Sequence, residues 1–289
     1  MRLWVCIPVF NRLALTVRCL ESLAVQDCPD YRIVLCDDGS TDGTSAFVRE
    51  RYPEVVVLEG DGNLWWTGAT NRCIEYVLGQ CKPDDAIVTL NNDLEVESDY
   101  LSELSRVAQC YPGALIGSAA YDIHTGDLVD PGFRHSWWRA SARRLDPVVD
   151  HLRDDPSLAA VTHLPGRGTL IPISVLHVIG LFDFKRLPQY GADYDLSFRA
   201  ARRGYPIFIA YRAKVLSHVD ETGLTEIRRR MSIGSFLRYL TNRRSPANLG
   251  VRFWLGFKNC PRGLLPWYLL ADLTRTIGGY FLHHLRGQA

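Results

Sequence analysis

Hydrophobic and polar positions alternate in regular blocks through the first ninety residues. Short apolar runs at residues 2–9, 31–40, 54–63 and 86–93 each end in polar side chains. Between them, residues 12–26, 45–52 and 67–80 carry apolar side chains at helical spacing. Strands that alternate with helices in units of about thirty residues are typical of parallel βαβ crossovers. The pattern therefore predicts an α/β fold with a mostly parallel, Rossmann-like sheet flanked by helices.

The pattern is less regular further along the chain. Residues 120–163 are rich in Gly, Pro, Asp and Trp with weak alternation, which predicts loops and short strands. The following segments predict a strand and helix at 164–183, a helix at 191–205, a pair of strands at 206–218 and a helical, aromatic, basic tail. We therefore expect one main domain over residues 1–222 and a helical C-terminal extension over residues 223–289.

Composition narrows the class of protein. A chain of 289 residues with 47% hydrophobic content can bury a substantial core. Its eight cysteines are scattered without a CxxC pair, so we expect reduced, structural thiols and a cytosolic protein. The first residues lack the pattern of a signal peptide, and there is no run of 18 apolar residues. We therefore expect that no segment crosses a membrane.

Charge is unevenly distributed along the chain. Up to Phe198 there are 17 Lys and Arg against 28 Asp and Glu, a net charge of −11, whereas the rest has 16 against 4, a net charge of +12. Such a basic segment favours an anionic partner such as a membrane surface or a phosphate-bearing substrate, although a solvated basic face explains it equally well. No nucleic-acid recognition motif accompanies the arginines, so we expect no nucleic-acid partner. The mixture of Arg with aromatic residues also fits a helix that lies on anionic lipid.

Polar clusters follow three of the predicted strands. They are residues 8–11, 37–40 and 91–93, and ligands of open α/β sheets bind at the carboxyl ends of strands. A single cluster would be an ordinary turn, but three of them predict a shared crevice. The chain has no GxGxxG after its first strand and no GxxxxGK[ST], which argues against dinucleotide and P-loop sites. Because crowded carboxylates require a cation, we expect a divalent metal that binds together with a substrate diphosphate.

Several motifs resemble those of one known family, the inverting glycosyltransferases of family 2, which have the GT-A fold. They are "CIPVFNR", "VLCDDGSTDGT", "GDGNLWWTGATNRCIEYVL", "TLNNDLEV", "GRGTLIP", "ADYDLSFRA" and "LSHVDETG". The segment "NLWWTGATNR" resembles rhamnosyltransferase-like members that build bacterial surface polysaccharides. The resemblance implies a GT-A domain with a nucleotide-sugar-binding half, 1–118, and an acceptor-binding half, 119–222.

The same resemblance implies an activity and its partners. The enzyme would transfer a sugar from a UDP- or dTDP-sugar to a hydroxyl of a saccharide or of a polyprenyl-diphosphate-linked saccharide, with a divalent metal, Mg²⁺ or Mn²⁺, as cofactor. We expect it in the cytoplasm, with peripheral contact to anionic lipid at the inner face of the plasma membrane. The sequence does not determine the oligomeric state, and a homodimer is one alternative.

The resemblance also implies residue roles. Asp193 matches the catalytic base. We prefer it to Asp195, because Asp195 lies two residues further along the predicted helix and its side chain should point away from the site. Asp93 and His218 match the metal site. The implied donor-binding residues are Pro8, Val9, Asn11, Asp37, Asp38, Asn63, Asn71, Asn91 and Asn92. The implied acceptor-binding residues are Trp66, Arg167, Gly168 and Asp195.

Some positions depart from the family pattern. Trp65 and Cys73 replace glycines that the family usually has, Ala192 replaces the Glu of its ED pair, and only one carboxylate follows the fourth strand. These departures leave open a base role for Asp195 and a non-catalytic carbohydrate- or lipid-binding relative. A sugar-nucleotide nucleotidyltransferase is a further alternative, but residues 8–15 lack the glycines that would hold a triphosphate.

Overall fold

The computed structural model describes residues 1–218 and 232–286, with side chains up to residue 281. Its first half consists of strands β1 (Leu3–Val9), β2 (Tyr31–Asp37), β3 (Val56–Glu59) and β4 (Ala86–Thr89), joined by helices α1 (Leu13–Ala24), α2 (Thr44–Arg51) and α3 (Trp65–Leu78). These strands pair in parallel in the order β3–β2–β1–β4. The predicted βαβ crossovers are therefore confirmed.

The sheet continues after residue 90 with mixed strand directions. The elements there are β5 (Leu94–Val96), α4 (Tyr100–Cys110), β6 (Leu115–Asp122), β7 (Leu128–Asp130), β8 (Phe133–Ser136), β9 (Ser141–Arg144), β10 (Leu158–Ala160), β11 (Thr169–Pro172), α5 (Ile173–Ile179), α6 (Ala192–Arg202) and β12 (Ile207–Ser217). Strand β11 lies between β4 and β6 and is antiparallel to both, and β12 follows β6 in parallel. One sheet thus runs through both halves of the predicted main domain.

One long strand, β12 (Ile207–Ser217), occupies the segment 206–218, so the prediction of a strand pair there is wrong. The pairing of β12 with β6 shifts register between Ala210 and Lys214. The strand therefore bends without turning back, and a periodicity of two cannot distinguish these outcomes.

The C-terminal extension is helical, as predicted. It contains α7 (Ile233–Thr241), α8 (Leu249–Asn259) and α9 (Leu265–Arg286). Among the described helices, none combines the length and the hydropathy that a membrane span requires. The predicted boundary at residues 222 and 223, and the "VDETG" part of the last motif, lie outside the described residues.

The core explains why β1 is apolar along its whole length. All seven of its residues are buried, because helices cover both faces of the sheet. Leu20 of α1 and Leu104 of α4 pack on one face, and Ile74 of α3 and Leu196 of α6 pack on the other. Each such buried side chain contributes about 1.5–3 kcal/mol. All eight cysteines are free, and most are buried in these layers.

Candidate active site

Two adjoining cavities lie at the carboxyl ends of the parallel strands. The first has a volume of about 530 Å³ and the second about 610 Å³. The residues shared by both walls are Arg12, Trp66, Asn91, Asp93, Gln189 and Tyr190. The three predicted polar clusters contribute Pro8, Val9, Asn11, Asp38, Asn91, Asn92 and Asp93 to the first wall. The sheet therefore brings the clusters together, as expected from strand polarity.

Asp38 is buried and accepts three backbone hydrogen bonds. Its carboxylate oxygens lie 2.9 Å from the N–H of Gly62, 3.1 Å from that of Leu64 and 2.8 Å from that of Trp65. Trp65 has a φ of 55°, an unfavourable value for a bulky residue, and the Asp38 hydrogen bond holds it there. Asp38 thus fixes the turn that leads into α3 while it lines the first cavity.

Asp37 and Asn11 brace the neighbouring loop. The Asp37 carboxylate accepts hydrogen bonds from the Ser40 N–H at 2.8 Å and the Ser45 hydroxyl at 2.5 Å. Asn11 Oδ1 accepts a hydrogen bond from the Thr41 N–H at 3.0 Å. Asp37 is buried and lies behind the cavity wall, so its structural contact is with the loop.

Each side chain of the triplet after β4 has a partner from another element. Asn91 Oδ1 accepts a hydrogen bond from the Trp66 indole N–H at 2.9 Å, and Asn92 donates to the Thr16 hydroxyl at 2.9 Å. Asp93 Oδ2 lies 3.2 Å from Arg12 Nη1. These long-range bridges explain why amides and a carboxylate, and no Gly or Pro, follow this strand.

Asp193 lies in the first turn of α6 and lines the second cavity. Its carboxylate accepts hydrogen bonds from the N–H groups of Gly166 at 2.8 Å and Tyr194 at 2.9 Å. Burial raises the pKa of Asp193 above its usual range, although these N–H groups and Arg167 oppose that shift. A half-buried carboxylate with a raised pKa at a cavity wall is suited to accept a proton.

The structure does not place Asp195 at either cavity, which corrects its predicted acceptor role. Its carboxylate is 0% exposed and lies 2.9 Å from each of Arg199 Nε, Lys258 Nζ and Asn259 Nδ2. These partners use its acceptor capacity and tie α6 to α8. Two residues of helix therefore separate a cavity-facing carboxylate from a structural one.

Three further predicted ligands lie away from the cavity walls. Both amide atoms of Asn71 bond to the Phe182 backbone, at 2.9 and 3.1 Å, and these two hydrogen bonds hold the side chain against that segment. Asn63 is exposed, and its backbone and side chain bond to Asp61. Gly168 has a φ of 78°, and a Cβ there would approach Ser118 Oγ to 2.8 Å. Gly168 therefore permits close packing of the backbone against Ser118.

Trp66 and Arg167 do lie at the second cavity. The Trp66 ring packs so closely on Gly166 that a Cβ at residue 166 would lie 2.1 Å from it. Arg167 Nη2 forms an ion pair with Asp130 at 2.6 Å. Trp66 thus lines both cavities, and Arg167 supports the wall beside Asp193.

His218 is buried beyond the end of β12 and is not among the residues that line these two cavities. Its Nε2 lies 2.9 Å from Glu95 Oε1, and its Nδ1 has no hydrogen-bond partner among the described residues. Ser217, the preceding residue, pairs with Leu94 next to Asp93. Within residues 1–218 and 232–286, no group of three His, Cys, Asp or Glu side chains is arranged to hold a metal ion.

Sequence reasoning missed several residues of the second cavity. An aromatic cluster lines it, formed by His135, His163, Tyr194, Phe198 and Tyr268. Burial lowers the pKa values of His135 and His163 to about 4, so both rings are neutral at pH 7. Gln189, whose Oε1 accepts a hydrogen bond from the backbone N–H of Trp66, was also missed, although it lies only two residues before Gly191, where the predicted helix 191–205 begins.

Solved structures with the same architecture include glycosyltransferases. GalNAc-T7, crystallised with UDP, GalNAc and Mn²⁺, aligns over 75% of this chain with a TM-score of 0.62 and 17% identity, and the alignment covers 44% of the GalNAc-T7 chain. Mannosyltransferase PcManGT from Pyrobaculum calidifontis, in complex with GDP-Man and Mn²⁺, aligns over 94% of this chain and 73% of its own, with a TM-score of 0.58 and 18% identity. The predicted GT-A fold is therefore confirmed.

Sequence comparison identifies the family. An N-acetylglucosaminyl-diphospho-decaprenol L-rhamnosyltransferase of Mycobacterium tuberculosis is 27% identical over 218 residues, which cover 70% of this chain and 71% of the relative. Chondroitin synthase of Escherichia coli is 36% identical over 86 residues, 27% of this chain and 12% of that enzyme. The family model described as glycosyl transferase family 2 matches residues 4–162, more than half of the chain. The protein is accordingly a glycosyltransferase and belongs to glycosyltransferase family 2.

Proposed function

We propose that this glycosyltransferase moves a sugar from a nucleoside-diphosphate donor to a hydroxyl of a saccharide acceptor and inverts the anomeric centre. The observation that carries the proposal is the carboxylate of Asp193, which faces the second cavity next to the residues shared with the first. A single base on the acceptor side is what a single-displacement reaction requires. The first cavity would hold the donor and the second the acceptor.

The donor assignment is supported by the polar groups around the first cavity. Asn91, Asn92 and Asp93 lie at the end of β4, and Asp38 lies at the end of β2 with its neighbouring turn. We propose a UDP- or dTDP-sugar as the donor. A related enzyme is named as an L-rhamnosyltransferase, and structures of similar fold contain UDP or GDP-Man.

The acceptor assignment is supported by the walls of the second cavity. Trp66 and the aromatic cluster offer apolar ring faces, and Arg167 contributes a cation. The name of the mycobacterial relative describes an acceptor sugar linked through diphosphate to a polyprenol. We propose a saccharide, free or linked to a lipid diphosphate, as the acceptor here.

Asp193 would remove the proton from the attacking hydroxyl. The oxygen of that hydroxyl forms the new glycosidic bond as the bond to the leaving diphosphate breaks, and the proton stays on Asp193. The N–H groups of Gly166 and Tyr194 hold the carboxylate in position for this step. A positioned base of this kind contributes about 10²- to 10⁴-fold to the rate.

A divalent metal fits this site only in part. Asp93 is the carboxylate that lines both cavities, and Arg12 neutralises it. The Nδ1 of His218 has no hydrogen-bond partner in the part of the chain that the structure describes, but the ring is buried. We propose that Mg²⁺ or Mn²⁺ would be held by Asp93 together with phosphate oxygens of the donor. When bound, the metal would offset negative charge on the leaving diphosphate.

Thermal stability with nucleotides tests this proposal. The unfolding midpoint is measured with UDP, dTDP and GDP, each with and without Mn²⁺, for the wild type, Asp93→Ala and the exposed control Asp61→Ala. We expect one nucleotide to stabilise the wild type and Asp61→Ala by about 2.7 kcal/mol at a concentration of 100 Kd, and to stabilise Asp93→Ala less. If no nucleotide raises the midpoint and no donor sugar is transferred or hydrolysed, the proposal is wrong.

A further inference from the structure

The second cavity extends past the proposed reaction centre to the C-terminal extension. Its wall includes Asp193 and Tyr194 of α6, and it also includes Arg252 of α8 and Arg275 of α9, which do not line the first cavity. These two helices lie beyond residue 162, where the match to the family model ends. The distal part of the acceptor side is therefore built by the extension.

The distal wall carries a net positive charge. Arg252 forms a two-pronged ion pair with Asp272, with Nε 2.7 Å from Oδ2 and Nη2 against Oδ1. Arg275 Nη2 lies 3.4 Å from the same Oδ1, and the Arg275 side chain is 54% exposed. Within the residues that the structure describes, two guanidinium groups thus share one carboxylate, which leaves an excess positive charge at the cavity wall.

The surrounding extension reinforces this charge. Residues 232–286 contain eight Lys and Arg, whereas Asp272 is the only acidic residue in that range. The fork of N–H donors on an arginine matches the oxygens of a phosphate group. The distal wall is therefore suited to an anion with several oxygens.

Helix α9 also presents an apolar face to solvent, which we call the α9 face. It consists of Trp267, Leu270, Leu273, Ile277 and Phe281, which recur every three or four residues and are between 36% and 60% exposed. Exposed apolar surface of this extent on one helix is typical of a site for a membrane or a protein. Arg275 and Asp272 lie on the same helix, so the anionic subsite and the apolar face are adjacent.

We propose that Arg252 and Arg275 bind the diphosphate of a lipid-diphosphate-linked acceptor while the α9 face lies on the bilayer that holds the lipid. The inference rests on the proposed function, since it assigns the acceptor of the same cavity. The acceptor sugar lies against the aromatic cluster near Asp193, its diphosphate contacts the guanidinium groups, and its lipid leaves along α9. An interfacial helix with arginines beside an apolar face is favourable on anionic lipid.

Binding of farnesyl diphosphate tests the subsite without the need for turnover. Isothermal titration compares the wild type, Arg275→Gln and Arg262→Gln, whose arginine is exposed just before α9 and does not line the cavity. We expect Arg275→Gln to weaken binding about tenfold, because a charge-assisted hydrogen bond is lost, and Arg262→Gln to retain wild-type affinity. Equal affinities in all three proteins, or equal losses in both variants, would overturn the subsite.

A transfer assay separates this inference from the proposed function. The acceptors are an N-acetylhexosamine linked to a short isoprenyl diphosphate and the octyl glycoside of the same sugar. We expect Arg275→Gln to raise the KM for the diphosphate acceptor about tenfold and to leave the KM for the octyl glycoside unchanged. Equal KM changes for both acceptors contradict the subsite alone. If the wild type transfers sugar to neither acceptor, the proposed function fails, and the titration still decides the subsite.

Vesicle sedimentation tests the α9 face. Vesicles with and without phosphatidylglycerol are mixed with the wild type, with Leu270→Glu/Ile277→Glu, and with the control Val148→Glu/Val149→Glu, which changes two exposed valines outside the extension. We expect the wild type and the control to sediment with anionic vesicles and the α9 variant to stay in solution. The bilayer contact would be overturned if the wild type does not sediment with anionic vesicles, or if the α9 variant still sediments with them.

Discussion

The two cavities share Asp93 and Trp66, but their walls are built in different ways. In the first cavity, a polar side chain such as Asp38 is held by backbone N–H groups of nearby turns. In the second cavity, rings and ion pairs come from elements far apart in the chain, including α8 and α9. Most of the first wall is therefore set by short motifs, with Gln189, Tyr190 and Arg244 as additions from distant segments, whereas the second wall depends more on tertiary packing.

This difference shows most clearly within α6. Asp193 faces the second cavity with a raised pKa, whereas Asp195 is buried and neutralised by Arg199 and Lys258. The family motif implies the base role for Asp193, but it does not show what Asp195 contacts. Packing against α8 determines which carboxylate is free and which is structural.

The largest expected effect comes from Asp193→Asn. An amide cannot accept the proton of the attacking hydroxyl, so we expect kcat to fall by about 10²- to 10⁴-fold. Stabilisation by the donor nucleotide should be unchanged, since Asp193 lines only the second cavity. Initial rates of sugar transfer measure the change in kcat. The shift of the unfolding midpoint with nucleotide measures donor binding and serves as the control. Full transfer activity in this variant would remove Asp193 from the role of base.

Asp195→Ala should reduce stability. Its removal leaves Lys258 and Arg199 without their buried carboxylate, so we expect a loss of about 3 kcal/mol in the free energy of unfolding. Asp183→Ala is the matched control, because Asp183 also pairs with Lys258 but its side chain is 14% exposed, and we expect a loss of about 1 kcal/mol. Urea unfolding of both variants provides the comparison. An Asp195→Ala protein of wild-type stability would contradict the structural role.

The smallest expected effect is on the pH dependence of stability. Because the pKa of Asp193 is raised by folding, the folded state binds this proton more readily than the unfolded chain, whose Asp pKa is about 3.9. The free energy of unfolding of the wild type, relative to that of Asp193→Asn, should therefore rise as the pH falls through the raised pKa of the folded state. This gain in stability should be complete once the pH is below the pKa of Asp in the unfolded chain. Urea unfolding between neutral pH and pH 4 measures the difference.

The activity of the wild type should change in the opposite direction over the same pH window. Protonation removes the base, so kcat should fall as stability is gained. If kcat and stability instead change in the same direction as the pH falls, a group other than Asp193 controls one of them.

Much of the fold could be predicted because the first half is organised locally. Each parallel strand is an apolar run, and each connecting helix shows its own period, so β1 to β4 follow from short segments. The insertion of β11 between β4 and β6 could not be predicted in this way, since its partners lie far along the chain. The single bent strand β12 was also missed, because a register shift leaves no mark in the alternation of side chains.

The site could be predicted to the extent that its residues follow strands. Asp38, Asn91 and Asp93 lie where strand polarity and the family motifs place them. Helical spacing indicates the face on which Asn71 lies but not its partner, which is the Phe182 backbone. Arg252 and Arg275 carried only the general signal of a basic tail, which does not reveal that they reach the second cavity.

The position of β11 has a consequence for folding of the chain during its synthesis on the ribosome. Thr89 of β4 and its neighbour Thr169 of β11 are separated by 80 residues. At synthesis rates of about 5–20 residues per second, about 4–16 s pass between the synthesis of β4 and the synthesis of its partner strand β11. During that interval the nascent N-terminal half exposes an unpaired, apolar sheet edge, which is a template for wrong pairing. Translation speed through residues 90–169 therefore sets how long each new molecule is exposed to aggregation or needs a chaperone.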